Sequence, residues 1–78
     1  MITLYTMPVC PVCNQVKEYL TLHNKPYTEI PMDSVDGQTE LKFNQIFTIN
    51  APVVQIDDDF YYDKTFEEYK NVVDKTNP

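Results

Sequence analysis

The sequence predicts an α/β fold in which helices flank a four-stranded mixed sheet, with the element order β-α-β-α-β-β-α. Two observations support this prediction. Short apolar runs of strand length alternate with longer segments of helical periodicity, and the first three have the spacing of a βαβ unit. The last two apolar runs flank only Asp57-Asp58-Asp59, which indicates an antiparallel hairpin. With 78 residues, the chain is expected to form a single domain over residues 1–78.

The first βαβ unit is predicted from the apolar pattern and from residues that stop helices. Residues 2–6 form a strand, and a helix follows from Pro11 to His23. Asn24 suits the left-handed position that ends a helix. The second strand, Tyr27–Ile30, stands between two prolines, which cannot donate to a sheet ladder. We therefore expect it at an edge of the sheet, parallel to the first strand.

A second helix and a central strand are predicted next. The helix is expected from Val35 or Gly37 to Phe47, and Phe43 and Phe47 are interpreted as core residues. Residues 52–56 begin with a proline and continue as a nearly unbroken apolar run. Such a run is typical of a strand that is buried on both faces.

The chain ends with a short strand and a capped helix. Phe60-Tyr61-Tyr62 completes the hairpin as the fourth strand. Thr65 and Glu68 have the spacing of a capping box, so the last helix should start there and run to about Lys75. Residues 76–78 are expected to form a loose tail. The buried face of the last helix is predicted to contain Phe66, Tyr69 and Val73.

Charge and hydropathy exclude several classes of function. Twelve acidic residues against six basic ones give a net charge of −6, which argues against a nucleic-acid partner because such partners require a basic surface. No apolar run approaches the length that spans a membrane, and the first residues have no signal-peptide pattern. We therefore expect a cytoplasmic protein, in a compartment that keeps thiols reduced.

The motif Cys10-Pro11-Val12-Cys13 contains the only two cysteines of the chain and lies between the first strand and the first helix. Pro11 suits the first helical position, which places Cys10 at the N-cap. There its sulfur faces the free N–H groups of Val12 and Cys13 and the positive end of the helix dipole. These groups favour the reactive thiolate, and Cys13 is close enough to resolve a mixed disulfide on Cys10.

Two other interpretations of the cysteines are weaker. A structural zinc site needs four ligands, and the only other soft ligand is His23, at the far end of the helix. Inert core cysteines would leave Pro11 and the strand-to-helix junction without a reason. We therefore expect a redox-active pair and no metal.

Two stretches, Tyr5-Thr6-x-Pro8-x-Cys10-Pro11-Val12-Cys13 and Ala51-Pro52-Val53-Val54, resemble the glutaredoxins, which have the thioredoxin fold. The resemblance extends from Ile2 to Val73. It implies that Pro52 is in the cis form and packs beside the cysteine pair. It also implies that the backbone N–H and C=O of Ala51 are free to pair with an extended substrate.

The chain departs from the glutaredoxin pattern where that family binds glutathione. Met7 stands in place of a lysine, Tyr61-Tyr62 in place of a glycine pair, and Asn50 in place of a threonine. The helix start at Thr65 remains as a place for a carboxylate, and Lys17 is the nearest cation. The stretch that begins at Ala51 is also similar to the NrdH-type redoxins, which thioredoxin reductase reduces. Glutathione and thioredoxin reductase both remain candidate reductants.

The sequence thus predicts a monomeric dithiol–disulfide oxidoreductase with no bound cofactor beyond its own redox-active disulfide. Its substrate would be a disulfide-containing protein such as ribonucleotide reductase. Two alternatives stay open: a thioredoxin-fold binding protein whose cysteines only switch its affinity, and an iron–sulfur cluster shared by two subunits through Cys10 and glutathione. The substrate groove is expected to consist of Met7, Pro8, Val9, Pro11, Val12, Ala51 and Pro52, with Tyr61 or Tyr62 at its far side.

Overall fold

A computed structural model of the chain describes residues 1–75 and has the predicted order of elements. The predicted tail, residues 76–78, lies outside the described residues. The elements are β1 (Ile2–Thr6), α1 (Pro11–Leu22), β2 (Tyr27–Pro31), α2 (Val35–Phe43), β3 (Val53–Ile56), β4 (Asp59–Tyr61) and α3 (Phe66–Asp74).

The four strands form one mixed sheet in the order β2-β1-β3-β4. β1 is parallel to β2 and antiparallel to β3, and β3 is antiparallel to β4. The α/β fold, the edge position of β2 and the central position of β3 are therefore confirmed. In the register of the sheet, Tyr5 lies opposite Val53, so β1 ends and β3 begins at the same end of the sheet.

Each face of the sheet is covered by its own group of apolar side chains. One group joins the sheet to α1 and α3, and it consists of Ile2, Leu4, Val16, Leu20, Val54, Tyr69 and Val73. The other lies on the side of α2, and it consists of Tyr5, Met32, Leu41 and Val53. Adjacent residues of β1 and β3 alternate between the two groups, as the pleat of a strand requires.

Helix α1 ends at Leu22, one residue before the predicted end at His23, and Asn24 takes the predicted left-handed position. His23 is the C-cap, and Asn24 has a φ of 53°. The N–H of Lys25 donates to the carbonyl of Leu20 at 2.9 Å, and the N–H of Asn24 donates to Thr21. This is the hydrogen-bond pattern of a Schellman motif, which satisfies carbonyls that the helix end leaves open.

Helix α2 ends at Phe43, four residues before the predicted end, and the prediction for its aromatic residues is wrong. Phe43 is 84% exposed and Phe47 is 74% exposed. The helix stops because Gln45 adopts a φ of 61°, and the N–H of Ile46 returns to the carbonyl of Leu41 at 2.8 Å. Leu41 and Ile46 thus take the inward positions that were expected of the two phenylalanines.

The hairpin and the last helix begin close to their predicted positions. β4 starts at Asp59 rather than Phe60, because Ile56 pairs with Asp59 and leaves a two-residue turn. Thr65 is the N-cap of α3 and forms the predicted capping box with Glu68. Within residues 1–75, no helix has the length and apolar character that crossing a membrane requires.

Candidate redox site

Cys10 is the N-cap of α1, and Pro11 occupies the first position of the helix. The backbone N–H of Cys13 donates to the Cys10 sulfur, with 3.1 Å between nitrogen and sulfur. The two cysteines are joined in a disulfide, with 5.2 Å between their Cα atoms. The N-terminus of α1 therefore presents a free donor to the sulfur that would become a thiolate after reduction.

The two cysteines differ in their access to solvent. Cys13 is 1% exposed and belongs to the interior, whereas Cys10 is partly exposed at the surface. An incoming disulfide can therefore reach Cys10 and not Cys13. This difference suits a mechanism in which one cysteine attacks the substrate and the other acts only within the protein.

An apolar rim precedes the pair. Met7, Pro8 and Val9 are exposed, and Val9 is 99% exposed with a φ of 52°, an unfavourable angle for a β-branched residue. Val12 is partly exposed on the first turn of α1. These side chains lie at the end of the sheet where β1 ends and β3 begins.

The Ala51–Pro52 peptide bond is cis, as the family resemblance implied. Pro52 is buried and Ala51 is partly exposed. Because β1 and β3 are antiparallel neighbours, this peptide bond is next to the segment that leads from Thr6 to Cys10. The fold thus places the two stretches that carry the resemblance side by side.

Two side chains that were not predicted as site residues hold the segment around Ala51. The hydroxyl of Tyr69 donates to the carbonyl of Pro52 at 2.6 Å. The carboxylate of Asp63 accepts from Thr48 Oγ1 at 2.7 Å and from Asn50 Nδ2 at 3.0 Å. A tyrosine on the buried face of a helix was predictable, and such a hydroxyl needs a partner, but the partner is distant in sequence.

The groups at Thr65 are engaged within the chain. Its backbone N–H donates to Glu68 Oε1 at 2.9 Å, and its hydroxyl accepts from the N–H of Glu68 at 3.2 Å. The bond from the Thr65 backbone lowers the pKa of the Glu68 carboxyl below its usual value. The N–H groups of Thr65 and Glu68, at the place where a ligand carboxylate was expected, therefore already have acceptors within the chain.

Lys17, on α1, forms an ion pair with Glu29, on the edge strand β2. Its Nζ lies 3.2 Å from Glu29 Oε2, which also accepts from the hydroxyl of Thr6 at 2.8 Å. The bond from Thr6, followed by the bond from Lys17, lowers the pKa of Glu29 against the opposing effect of its partial burial. Lys17, which was expected to be the cation nearest to a bound carboxylate, thus has a carboxylate partner of this chain on β2.

The other residues considered for the site are Tyr61, Tyr62 and His23. Of the two tyrosines expected at the far side of the groove, Tyr61 is partly buried against the apolar group on the side of α1 and α3, and Tyr62 is 38% exposed. His23 stacks on Tyr19, with 4.2 Å between ring centroids. Within residues 1–75, no group of three or more His, Cys, Asp or Glu side chains is arranged to hold a metal ion.

An open groove beside the rim was not predicted. Its volume is about 380 Å³, and it runs from Met7 between α2 and the loop before β3. It lies beside the segment that follows the end of α2 at Phe43, in which Phe47 and Ile49 are exposed. The apolar residues that line it are Met7, Met32, Leu41, Ile46, Phe47 and Ile49.

Comparison with known proteins gives concordant results. The family model described as Glutaredoxin matches residues 2–61. Prostaglandin E synthase 2 of Mus musculus is 33% identical over 54 residues, which are 69% of this chain and 14% of the mouse protein. The chain therefore spans only a small part of that relative.

Two solved structures are similar over nearly the whole chain. The thioredoxin-like protein BC3987 superposes with a TM-score of 0.76 at 27% identity, covering 92% of this chain and 99% of that one. Glutaredoxin 1 from Francisella tularensis, solved with cacodylate, gives a TM-score of 0.66 at 28% identity, covering 95% of this chain and 92% of that one.

Proposed function

The chain belongs to the glutaredoxin family, and from this we propose that it is a cytoplasmic dithiol–disulfide oxidoreductase that reduces disulfides of other proteins. The observation that carries the proposal is the placement of Cys10 at the N-cap of α1, with the N–H of Cys13 directed at its sulfur at 3.1 Å. Hydrogen bonds and a helix dipole directed at a sulfur favour the thiolate over the thiol.

The reaction proceeds in two exchange steps. The Cys10 thiolate attacks one sulfur of the substrate disulfide, so that a Cys10–substrate disulfide forms and the other substrate sulfur leaves as a thiolate. Cys13 then loses its proton and attacks the sulfur of Cys10, which releases the second substrate thiolate. The substrate gains two electrons from the dithiol and takes up two protons, one released by Cys13 and one from solvent, and the protein is left with the Cys10–Cys13 disulfide seen in the structure.

The surface around Cys10 supports a polypeptide substrate. Exposed apolar side chains precede the cysteine pair, and an apolar groove adjoins them at Met7. The partly exposed Ala51 precedes the cis bond, where its N–H and C=O would pair with an extended segment of the substrate. Contact through both features would place a substrate disulfide against Cys10. Ribonucleotide reductase is the first protein substrate that we would test.

Thioredoxin reductase is the reductant that we favour over glutathione. Tyr61 and Tyr62 stand where the resemblance implies two glycines, and Met7 stands where it implies a lysine. The Glu68 carboxylate accepts the N–H of Thr65 at the start of α3, and it places a negative charge where the resemblance implies that a carboxylate of glutathione binds. Bulk and negative charge at these positions oppose an anionic tripeptide. We further propose that the protein acts as a monomer.

A recycling assay tests the function and the reductant together. The protein is oxidised to its disulfide form, and NADPH consumption is followed with thioredoxin reductase, or separately with glutathione and glutathione reductase, with insulin as the disulfide substrate. The Cys10→Ser variant provides the blank. Rapid turnover with thioredoxin reductase alone is the expected result. Turnover only with glutathione would overturn the choice of reductant, and no turnover with either would favour a binding protein with a redox switch.

A further inference from the structure

Tyr69 is a buried side chain that takes no direct part in the proposed redox reaction. It is 1% exposed, and its hydroxyl lies between two backbone groups. It donates to the carbonyl oxygen of Pro52 at 2.6 Å and accepts from the N–H of Lys64 at 3.4 Å. Burial raises the pKa of this hydroxyl, so it remains a donor throughout the neutral range. It connects α3 with the first residue after the cis peptide bond.

A second contact fixes the other side of the same peptide bond. Asn50 Nδ2 and Thr48 Oγ1 both donate to the carboxylate of Asp63, and Thr48 Oγ1 also accepts from the N–H of Asn50 at 3.1 Å. The bond from Asn50, followed by that from Thr48, lowers the pKa of Asp63. Ala51 therefore stands between two fixed points, one residue before it and one residue after it.

We propose that Tyr69 is a positioning residue for substrate binding: its hydroxyl holds the Pro52 carbonyl, and thereby holds the backbone of Ala51 in the orientation in which it pairs with an extended substrate segment. Asp63 is the second half of the same device, acting through Thr48 and Asn50. This inference rests on the proposed reduction of protein disulfides.

The device should affect binding and leave the chemical step unchanged. Cys10 and Cys13 lie on α1, whose start is fixed by its own helix bonds, and neither Tyr69 nor Asp63 contributes to those bonds. A backbone edge that is already in its bound orientation loses less freedom when a strand pairs with it, so holding it strengthens association. Loss of the contact should therefore raise KM for a protein substrate without lowering kcat.

Tyr5 offers a matched control. It is also 1% exposed, and its hydroxyl also donates to a residue of β3, Gln55 Oε1, at 2.7 Å. Tyr5→Phe and Tyr69→Phe therefore both remove a hydrogen-bonding hydroxyl from a buried tyrosine, although the acceptor is a side-chain amide for Tyr5 and a backbone carbonyl for Tyr69. Only Tyr69→Phe releases the Pro52 carbonyl.

The experiment is steady-state reduction of insulin with dithiothreitol as the reductant, corrected for the rate without protein. We expect Tyr69→Phe to raise KM about fivefold, the effect of one ordinary net hydrogen bond, with kcat kept. Asp63→Gly removes the carboxylate and tolerates the φ of 57° at this exposed residue, so it should raise KM in the same way, and Tyr5→Phe should not. Alkylation of reduced Cys10 by iodoacetamide, which presents no strand to Ala51, should be equally fast in all variants.

Each other outcome decides against the proposal. An unchanged KM in Tyr69→Phe, or an equal rise in Tyr5→Phe, would overturn the positioning role while leaving the proposed function intact. A loss of kcat or of the alkylation rate would assign Tyr69 to the cysteine pair instead. If Tyr69→Phe does not fold, Asp63→Gly decides alone, and an unchanged KM overturns the proposal. A wild-type protein that does not accelerate insulin reduction would overturn both the function and this inference.

Discussion

The backbone N–H of Cys13 points at the sulfur of Cys10 across 3.1 Å. This relationship follows from local sequence, because Pro11 occupies the first helical position and leaves the preceding cysteine as the N-cap. It also makes the two cysteines structurally unequal, as the proposed two-step exchange requires. Cys10 is accessible and is bonded by a helix-terminal donor, whereas Cys13 is buried one turn further along the helix and is positioned to attack Cys10.

Gly37, the only glycine of the chain, is expected to resist substitution. A Cβ atom added there would lie 2.2 Å from the carbonyl oxygen of Pro31, a backbone atom that cannot move aside cheaply. Gly37→Ala should therefore lower the free energy of unfolding by about 1–3 kcal/mol, although alanine favours a helix interior. Thr39→Ala, at an exposed position of the same helix, is the control. If urea denaturation gave equal stability for the two variants, α2 would pack less closely on β2 than the structure shows.

Truncation of Leu41 to alanine should cost more stability than truncation of Phe43, although phenylalanine is the larger residue. Leu41 is 5% exposed and Phe43 is 84% exposed. Leu41→Ala should cost about 2–5 kcal/mol of stability because it leaves a cavity in the core. Phe43→Ala should change stability by no more than about 0.5 kcal/mol. A large loss in Phe43→Ala, measured by urea denaturation, would contradict the observed end of α2.

Glu68 should make the stability of α3 dependent on acid pH. The bond from the Thr65 N–H lowers the pKa of Glu68 in the folded protein relative to the unfolded chain, so the folded state binds fewer protons. This contribution is complete above the ordinary value of 4.5 and is lost as the pH falls through the lowered folded-state pKa. The stability difference between wild type and Glu68→Ala should therefore be largest near neutral pH and shrink in acid.

Glu67→Ala is the control for that prediction. It removes the same charge from the same first turn of α3, where the carboxylate pairs with Lys70 rather than with the helix N-terminus. Thermal unfolding of the three proteins between pH 3 and pH 7 would compare them. Identical pH profiles for Glu67→Ala and Glu68→Ala would contradict a specific role of the capping box.

Features that depend on neighbouring residues were predictable. The N-cap at Cys10, the left-handed Asn24 and the capping box at Thr65 each follow from a few adjacent side chains, and the structure contains all three. The end of α2 was not predicted, because Gln45, which is not a glycine, takes the left-handed position. Asn44 before it, a residue typical of helix ends, was the available signal.

Contacts between distant residues could not be predicted from the sequence. Tyr69 was expected on a buried face, but its bond to Pro52 joins residues that are 17 positions apart, and only the fold brings them together. The pairing of Lys17 with Glu29 likewise depends on how α1 crosses onto β2. The family resemblance identified Ala51 and Pro52, and it contained no information on what holds them.

Trapping of a mixed disulfide tests the central claim most directly. Reduced Cys13→Ser protein is mixed with insulin, and the products are separated on a non-reducing gel and weighed by mass spectrometry. We expect Cys13→Ser to form a covalent adduct with insulin through Cys10, and the adduct should accumulate because no second thiol can release it. Cys10→Ser should form no adduct and should also lack turnover. An adduct on Cys10→Ser, or full activity of Cys13→Ser on protein disulfides, would contradict the two-cysteine mechanism.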